Sequence, residues 1–129
     1  MAVAAASAGR TNSPILGVIT LGLPEFGVLG WDWKATLAVL ARRQPDQPQF
    51  SVIPHLRSLA PTPLWMIRGS NDEYTPPATA QALFQAAAQP KRLHEVAQAN
   101  HRFDGHQAEL FQSIRNGLEW IVSLPKTAD

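Results

Sequence analysis

The chain has 129 residues, of which 45% are hydrophobic and 16% are charged, and its formal net charge is +1. A chain of this length and composition can build one packed domain and is too apolar for a disordered tail. Its basic residues are scattered, which argues against a nucleic-acid partner, and the lack of cysteine excludes disulfides, thiolate metal sites and a cysteine nucleophile.

The first ten residues, MAVAAASAGR, are rich in alanine. They lack the basic leader and the leucine-rich core of a signal peptide. They predict the end of a helix, with Gly9 as its C-cap. No stretch of the sequence reaches the apolar length of a membrane span, and the cellular compartment stays undetermined.

The next part of the chain contains two short apolar runs separated by a long irregular segment. The run ILGVITL, residues 15–21, is β-branched and apolar on both faces, which is typical of a parallel strand buried on both sides. Residues 24–62 predict a cap-like or lid-like excursion over the sheet, with helices at 33–43 and 54–59. The run PLWMI, residues 63–67, predicts a second buried strand.

Helix and strand patterns continue to alternate after the second run. Residues 76–88 predict a helix capped by Thr75, and residues 92–97 alternate like a strand nearer the sheet edge. From residue 106 an amphipathic helix is predicted, with a buried face formed by Leu110, Ile114, Leu118 and Ile121. The order predicts an α/β fold with about three parallel strands, right-handed crossovers and flanking helices, all in a single partial domain over residues 1–129.

Titratable side chains follow two neighbouring strands of the predicted sheet. GSNDEY, residues 69–74, comes after the second strand, and QANHRFDG, residues 98–105, comes after the third. The carboxyl ends of parallel strands lie at the same edge of a sheet, where the loops converge and where ligands and catalytic groups are usually found. We therefore expect Asp72 and His101 to lie within reach of each other.

These segments resemble the C-terminal half of an α/β-hydrolase. In PTPLWMIRGSNDEYTPP, a Gly-x-x-Asp-x-x-x-Pro turn resembles the one that supplies the acid of the catalytic triad, and NHRFDG resembles the loop that supplies its histidine. The resemblance covers residues 15–122, and the HRFDG loop is similar to those of dienelactone-hydrolase-like enzymes and of virulence-protein-J-like lysyl-phosphatidylglycerol hydrolases. It implies serine-esterase chemistry on a small-molecule ester or lipid-like substrate, with Asp72 and His101 as catalytic residues and no cofactor.

The sequence departs from this family at the nucleophile. An α/β-hydrolase needs a Gly-x-Ser-x-Gly elbow between a strand and a helix, and this sequence contains none. The nearest approach is AASAG, in which no strand-like run precedes Ser7, so we interpret Ser7 as a helix-end residue. We expect the second half of a hydrolase, inactive alone, whose strand at 15–21 pairs with a missing N-terminal half or with a second copy. The alternative is a non-enzymatic binding or assembly module that uses the same exposed strand edge.

Simpler interpretations exist for the individual site residues. Asp72 also fits a turn ahead of a helix, Glu73 is the rival acid, and His101 also fits a loop cap. The remaining histidines fit structural or solvated positions, and their spacing does not predict a metal site; they are His55, His94 and His106.

Overall fold

A computed structural model of the chain describes residues 15–28, 33–41 and 48–125. The elements, in chain order, are β1 (Val18–Leu21), β2 (Phe26–Val28), α1 (Trp33–Leu40), β3 (Gln49–Ser51), α2 (Ile53–Arg57), β4 (Leu64–Gly69), α3 (Pro77–Ala86), β5 (Lys91–Val96) and α4 (Gln107–Ser123). The predicted α/β class with three parallel strands is confirmed. The predicted helix end with Gly9, and Ser7, lie outside the described residues.

The main sheet has the order β1-β4-β5, and both of its strand pairs are parallel. The predicted strands at 15–21, 63–67 and 92–97 correspond to these three strands. All six residues of β4 are buried because it is the central strand and helices cover both of its faces. The three strands end at one edge, which we call the carboxyl edge.

The hydrophobic core is divided by the sheet into two clusters, since successive side chains of β4 point to opposite faces. Leu64 and Met66 belong to the cluster that also holds Leu56 of α2 and Leu83 of α3. Trp65 and Ile67 belong to the other, whose remaining buried members are Val96, Ala99 and Phe103, with Leu110, Ile114 and Trp120 of α4 packed against them. Helices therefore flank both faces of the sheet.

The buried face of α4 differs from the predicted one at Leu118, which is exposed. The helix instead places Ser113 and Gly117 against Trp65: the indole Nε1 donates to Ser113 Oγ at 3.3 Å, and a Cβ on Gly117 would lie 2.8 Å from Trp65 Cγ. Small residues were needed on this face because the indole ring fills the space. The apolar spacing alone did not reveal that requirement.

The excursion, residues 24–62, contains two elements that the sequence did not predict. Strands β2 and β3 pair antiparallel in a separate two-stranded sheet. The predicted helices are present as α1 and α2. The end of the excursion is buried in the main core through Val52, Leu56 and Leu59, so this part of it packs directly on the sheet.

None of the helices in the described ranges is both long and apolar enough to cross a membrane.

Candidate active site

The loops after β4 and β5 are joined by hydrogen bonds at the carboxyl edge. Asn71 N donates to Ala99 O at 2.9 Å, and Gln98 N donates to Ser70 Oγ at 2.7 Å. Gly69 ends β4 so close to the second loop that a Cβ there would collide with Ala99 O. The two loops therefore form one continuous surface, and a side chain on either loop has a fixed position relative to the other.

Asp72 lies in the first of these loops with its side chain fully buried. Its Oδ1 accepts hydrogen bonds from the backbone N–H groups of Tyr74 and Thr75, each at 2.9 Å. This is the local turn bonding expected of an aspartate ahead of a helix. These turn hydrogen bonds are thus part of the role of Asp72, and they fix the orientation of its other carboxylate oxygen.

His101 contacts that carboxylate from the second loop. Its Nδ1 lies 3.0 Å from Asp72 Oδ2 and 3.2 Å from Oδ1, and its side chain is 35% exposed. An ionised carboxylate only accepts hydrogen bonds, so the neutral imidazole carries its hydrogen on Nδ1 and keeps a lone pair on Nε2. The proximity expected from the two strand ends is present, and the pair has the arrangement of an oriented base.

The loop that carries His101 is held by its own side chains. Phe103 is buried in the core beside Trp65 although its φ of 57° is unusual for a bulky residue. Asn100 Oδ1 accepts from the backbone N–H groups of Arg102 and Asp104, and Asn100 Nδ2 donates to Asp104 Oδ2 at 2.9 Å. The carboxylate of Asp104 therefore bonds to Asn100, and the carboxylate that contacts the imidazole is that of Asp72.

Gly22, at the end of β1, is a site residue that the sequence analysis missed. It has a φ of 53°, and a Cβ there would lie 2.9 Å from His101 Nδ1 and 3.0 Å from Asp72 Oδ2. The signal that the sequence offered for it is a glycine directly after the strand-like run at 15–21, since glycine at a strand end often marks a close approach of another group. All three strands of the main sheet thus contribute to the site.

The predicted cap of α3 is wrong, and Thr75 has another role. The helix begins after Pro76, with no side-chain cap. Thr75 is buried, and its hydroxyl donates to Leu23 O at 3.4 Å. It therefore ties the Asp72 turn to the segment that follows Gly22.

Glu73 and Tyr74, which follow Asp72 in the chain, both contact His101. Glu73 Oε2 accepts from the backbone N–H of His101 at 3.3 Å. The ring of Tyr74 meets the imidazole edge-on with a centroid distance of 4.9 Å. The rival acid thus contacts the backbone of the histidine loop, while Asp72 contacts the ring.

The other histidines have structural surroundings. His55 meets Phe50 edge-on, His94 stacks on Trp65, and His106 Nδ1 lies 3.8 Å from Glu109 Oε1. In the parts of the chain that the structure describes, no group of His, Asp and Glu side chains could hold a metal ion.

A cavity of about 250 Å³ lies between α3 and the excursion. Its lining is mainly apolar with one carboxylate, and consists of Glu25, Ile53, Ala78, Thr79, Ala82 and Leu83. Its lining includes neither Asp72 nor His101, and its volume is below the range of about 300–1,000 Å³ that is typical of small-molecule pockets.

The fold is similar to that of solved esterase domains. The esterase domain of a Rhodothermus marinus protein has a TM-score of 0.61 at 19% identity, covering 92% of this chain and 54% of that domain. Est1E from Butyrivibrio proteoclasticus has a TM-score of 0.62 at 12% identity, covering 95% of this chain and 56% of that one. Est1E was also solved with ferulic acid bound, and that structure has a TM-score of 0.50 at 13% identity, covering 61% of this chain and 35% of that one. No protein-family model and no curated protein sequence matches the chain.

These likenesses concern the fold, which is α/β-hydrolase-like, as the sequence resemblance implied. The chain spans about half the length of the two esterase domains. Within the described residues, the imidazole of His101 has the buried carboxylate as its hydrogen-bond partner, and no serine hydroxyl contacts it. The site can therefore hold an imidazole in the orientation of a general base and can stabilise its protonated form. Among the described residues, no nucleophile lies beside that imidazole.

Proposed function

We propose that Asp72 and His101 are the acid and the base of a serine-esterase triad, in a chain that forms the C-terminal part of an α/β-hydrolase. The observation that carries this proposal is the 3.0 Å contact between His101 Nδ1 and Asp72 Oδ2 at the carboxyl edge of a parallel sheet. The esterase-like fold supports it independently.

In the proposed reaction, Nε2 of His101 takes the proton from a serine hydroxyl as the serine oxygen attacks the ester carbonyl carbon. The imidazolium then protonates the leaving alcohol as the carbon–oxygen bond breaks, which leaves an acyl-enzyme. Water hydrolyses that intermediate by the same proton path. Asp72 holds the imidazole in the tautomer that exposes the Nε2 lone pair and stabilises the imidazolium.

The nucleophile in this proposal comes from polypeptide outside the 129 residues, since the sequence contains no Gly-x-Ser-x-Gly elbow. The chain alone is then inactive, because a base without a nucleophile and oxyanion donors has no covalent route. Its substrates are small esters or lipid-like esters. The HRFDG loop favours a dienelactone-hydrolase-like or virulence-protein-J-like enzyme, and the ferulic acid bound by Est1E makes an aromatic acyl ester a useful first probe.

A second candidate function is that of a binding or assembly module without catalysis. It is favoured by β1, which pairs only with β4 among the described strands and leaves its other edge open. Such a module would use this edge to bind a partner strand.

The test joins this chain to the part of the Rhodothermus marinus esterase domain that has no counterpart in it, and measures hydrolysis of p-nitrophenyl acetate and methyl ferulate. We expect the chain alone to be inactive and the joined polypeptide to turn over ester. His101→Ala should lower that rate by about three orders of magnitude or more, while His106→Ala should leave it within a few-fold.

A joined polypeptide that is folded by circular dichroism and inactive would contradict the triad and favour the binding module. Saturable hydrolysis by the chain alone, lost on Ser7→Ala, would contradict the missing nucleophile.

A further inference from the structure

Three consecutive residues of the loop after β4 contact His101 at different points. The carboxylate of Asp72 lies against Nδ1 of the imidazole, and the carboxylate of Glu73 accepts from the backbone N–H of His101. The ring of Tyr74 meets the imidazole at a centroid distance of 4.9 Å and an interplanar angle of 67°. Of the three residues, Tyr74 is therefore the one that packs on the imidazole ring.

The backbone of Tyr74 is held on both sides. Its N–H donates to Asp72 Oδ1 at 2.9 Å, and the next residue, Thr75, is buried with its hydroxyl bonded to Leu23 O. Pro76 follows, and a proline restricts the backbone of the residue before it as well as its own. Because a tyrosine side chain has few rotatable bonds, this backbone largely determines where the ring lies.

The imidazole of His101 is partly open to solvent, since 35% of its side chain is exposed. A rotation that carries the imidazole into solvent breaks its hydrogen bond to Asp72 and its contact with Tyr74 together. Edge-on aromatic pairs favour the contact arrangement by about two- to tenfold. The ring of Tyr74 thus raises the fraction of time that the imidazole spends against the carboxylate.

We propose that Tyr74 is a positioning residue, whose ring keeps the imidazole of His101 against the Asp72 carboxylate. Asp72 bonds both the imidazole and the backbone N–H that places the tyrosine ring, so one carboxylate aligns the two rings. The contact is one between rings, and phenylalanine at position 74 would serve as well. The importance of Tyr74 for ester hydrolysis rests on the proposed function, whereas its effect on the imidazole does not.

The first measurement uses the isolated 129-residue chain and needs no nucleophile. NMR with His101 assigned gives its side-chain rotamer from coupling constants and the position of its ring hydrogen from nitrogen shifts. The original protein and Tyr74→Phe should both show one rotamer with hydrogen on Nδ1. In Tyr74→Ala the population of that rotamer relative to the others should fall by about two- to tenfold. The fraction with hydrogen on Nδ1 should fall with it, because an imidazole that leaves Asp72 loses the bond that holds the hydrogen there.

The variants should keep the fold. The side chain of Tyr74 is 44% exposed, and each substitution retains the backbone N–H that bonds Asp72. Phe111→Ala is the matched control, because it removes another exposed aromatic side chain and should leave the rotamer of His101 unchanged. Circular dichroism and thermal unfolding check each variant. If Tyr74→Ala does not fold, Tyr74→Ser takes its place with the same expected result, since serine suits a turn.

The second measurement is ester hydrolysis by the joined polypeptide, with kcat and KM determined separately. A residue that positions the base affects the chemical step, so Tyr74→Ala should lower kcat by up to about tenfold and leave KM within about twofold. Tyr74→Phe should change neither constant by more than about twofold.

The outcomes separate the positioning role from catalysis. Tyr74→Ala that keeps one rotamer with hydrogen on Nδ1 overturns the proposal, because Asp72 alone would then hold the imidazole. A rise in KM with kcat unchanged also overturns it, since Tyr74 would contact the substrate instead. Averaging in Tyr74→Phe as well as in Tyr74→Ala overturns the role of the ring. Averaging in Tyr74→Ala alone, together with a joined polypeptide that hydrolyses no ester, supports the positioning role and contradicts the proposed function.

Discussion

Gly22 and His101 are in direct contact although they belong to different loops. A Cβ on Gly22 would lie 2.9 Å from both Nδ1 and Cε1 of the imidazole. The backbone of Gly22 also has a φ of 53°, a conformation that favours glycine. The backbone at the end of β1 can therefore lie directly against the Asp72–His101 pair only because this position has no side chain.

Replacing Gly22 by alanine should displace the imidazole from Asp72. The left-handed conformation costs about 1–2 kcal/mol for a residue with a Cβ, and the contact with the ring adds to this. In the joined, active polypeptide we expect a rate about a hundredfold lower, since displacements near 1 Å have effects of this size. Thermal unfolding and ester hydrolysis measure the two effects.

Gly105→Ala is the matched control for this substitution. Gly105 has a φ of 74°, and nothing lies within 4 Å of a Cβ built there. Gly105→Ala should lower the stability by the cost of the left-handed backbone conformation, and it should leave the rate of ester hydrolysis unchanged. If both variants lose activity equally, the contact between Gly22 and the imidazole is unimportant.

Asp72→Asn should change the imidazole tautomer. The asparagine amide can donate to Nδ1, so the ring hydrogen moves to Nε2, and the base is then presented in the wrong form. Nitrogen NMR of the isolated chain, with His101 assigned, should show hydrogen on Nδ1 in the original protein and on Nε2 in the variant. In the joined polypeptide the rate should fall by about four orders of magnitude.

Asp104→Asn provides the comparison for Asp72→Asn, because the carboxylate of Asp104 bonds to Asn100. The tautomer of His101 should not change in it. A variant at Asp72 that keeps hydrogen on Nδ1 would show that another group orients the ring.

Glu73→Gln should have little effect on catalysis. The carboxylate of Glu73 accepts from the backbone N–H of His101 at 3.3 Å, and glutamine retains an oxygen that can do the same. We expect ester hydrolysis by the joined polypeptide within about threefold of the original, because the contribution of such an exposed hydrogen bond is small. A loss comparable to that of Asp72→Asn would make Glu73 the acid.

The sequence predicted the central geometry of the site for a physical reason. Apolar runs marked β1 and β4, and parallel strands end at one edge of a sheet, so Asp72 and His101 were expected close together, as the structure has them. The role of Gly22 was not predictable in the same way. A glycine after a strand indicates a turn, whereas its contact with an imidazole depends on how three loops converge.

Two features of the fold escaped prediction because they depend on distant packing. Strands β2 and β3 have three residues each and are separated by a helix, so neither shows a usable alternation and their pairing is non-local. Leu118 follows the helical apolar spacing, yet the buried face of α4 is determined by Trp65, whose ring needs the small residues Ser113 and Gly117 beneath it.

This packing leads to a prediction for Gly117→Ala. In an exposed helix the change would stabilise the protein by about 1 kcal/mol, but here the new Cβ would lie 2.8 Å from Trp65 Cγ and 2.9 Å from Cδ1. Overpacking of a tight core typically costs about 1–3 kcal/mol. We expect this cost to exceed the gain in helix propensity, because the ring is also held by Ser113 and Trp120. Asn116→Ala, one position earlier on the exposed side, is the control and should leave stability unchanged or slightly raised. Chemical denaturation of the two variants measures the difference, and a Gly117→Ala variant as stable as Asn116→Ala would show that Trp65 has room to move.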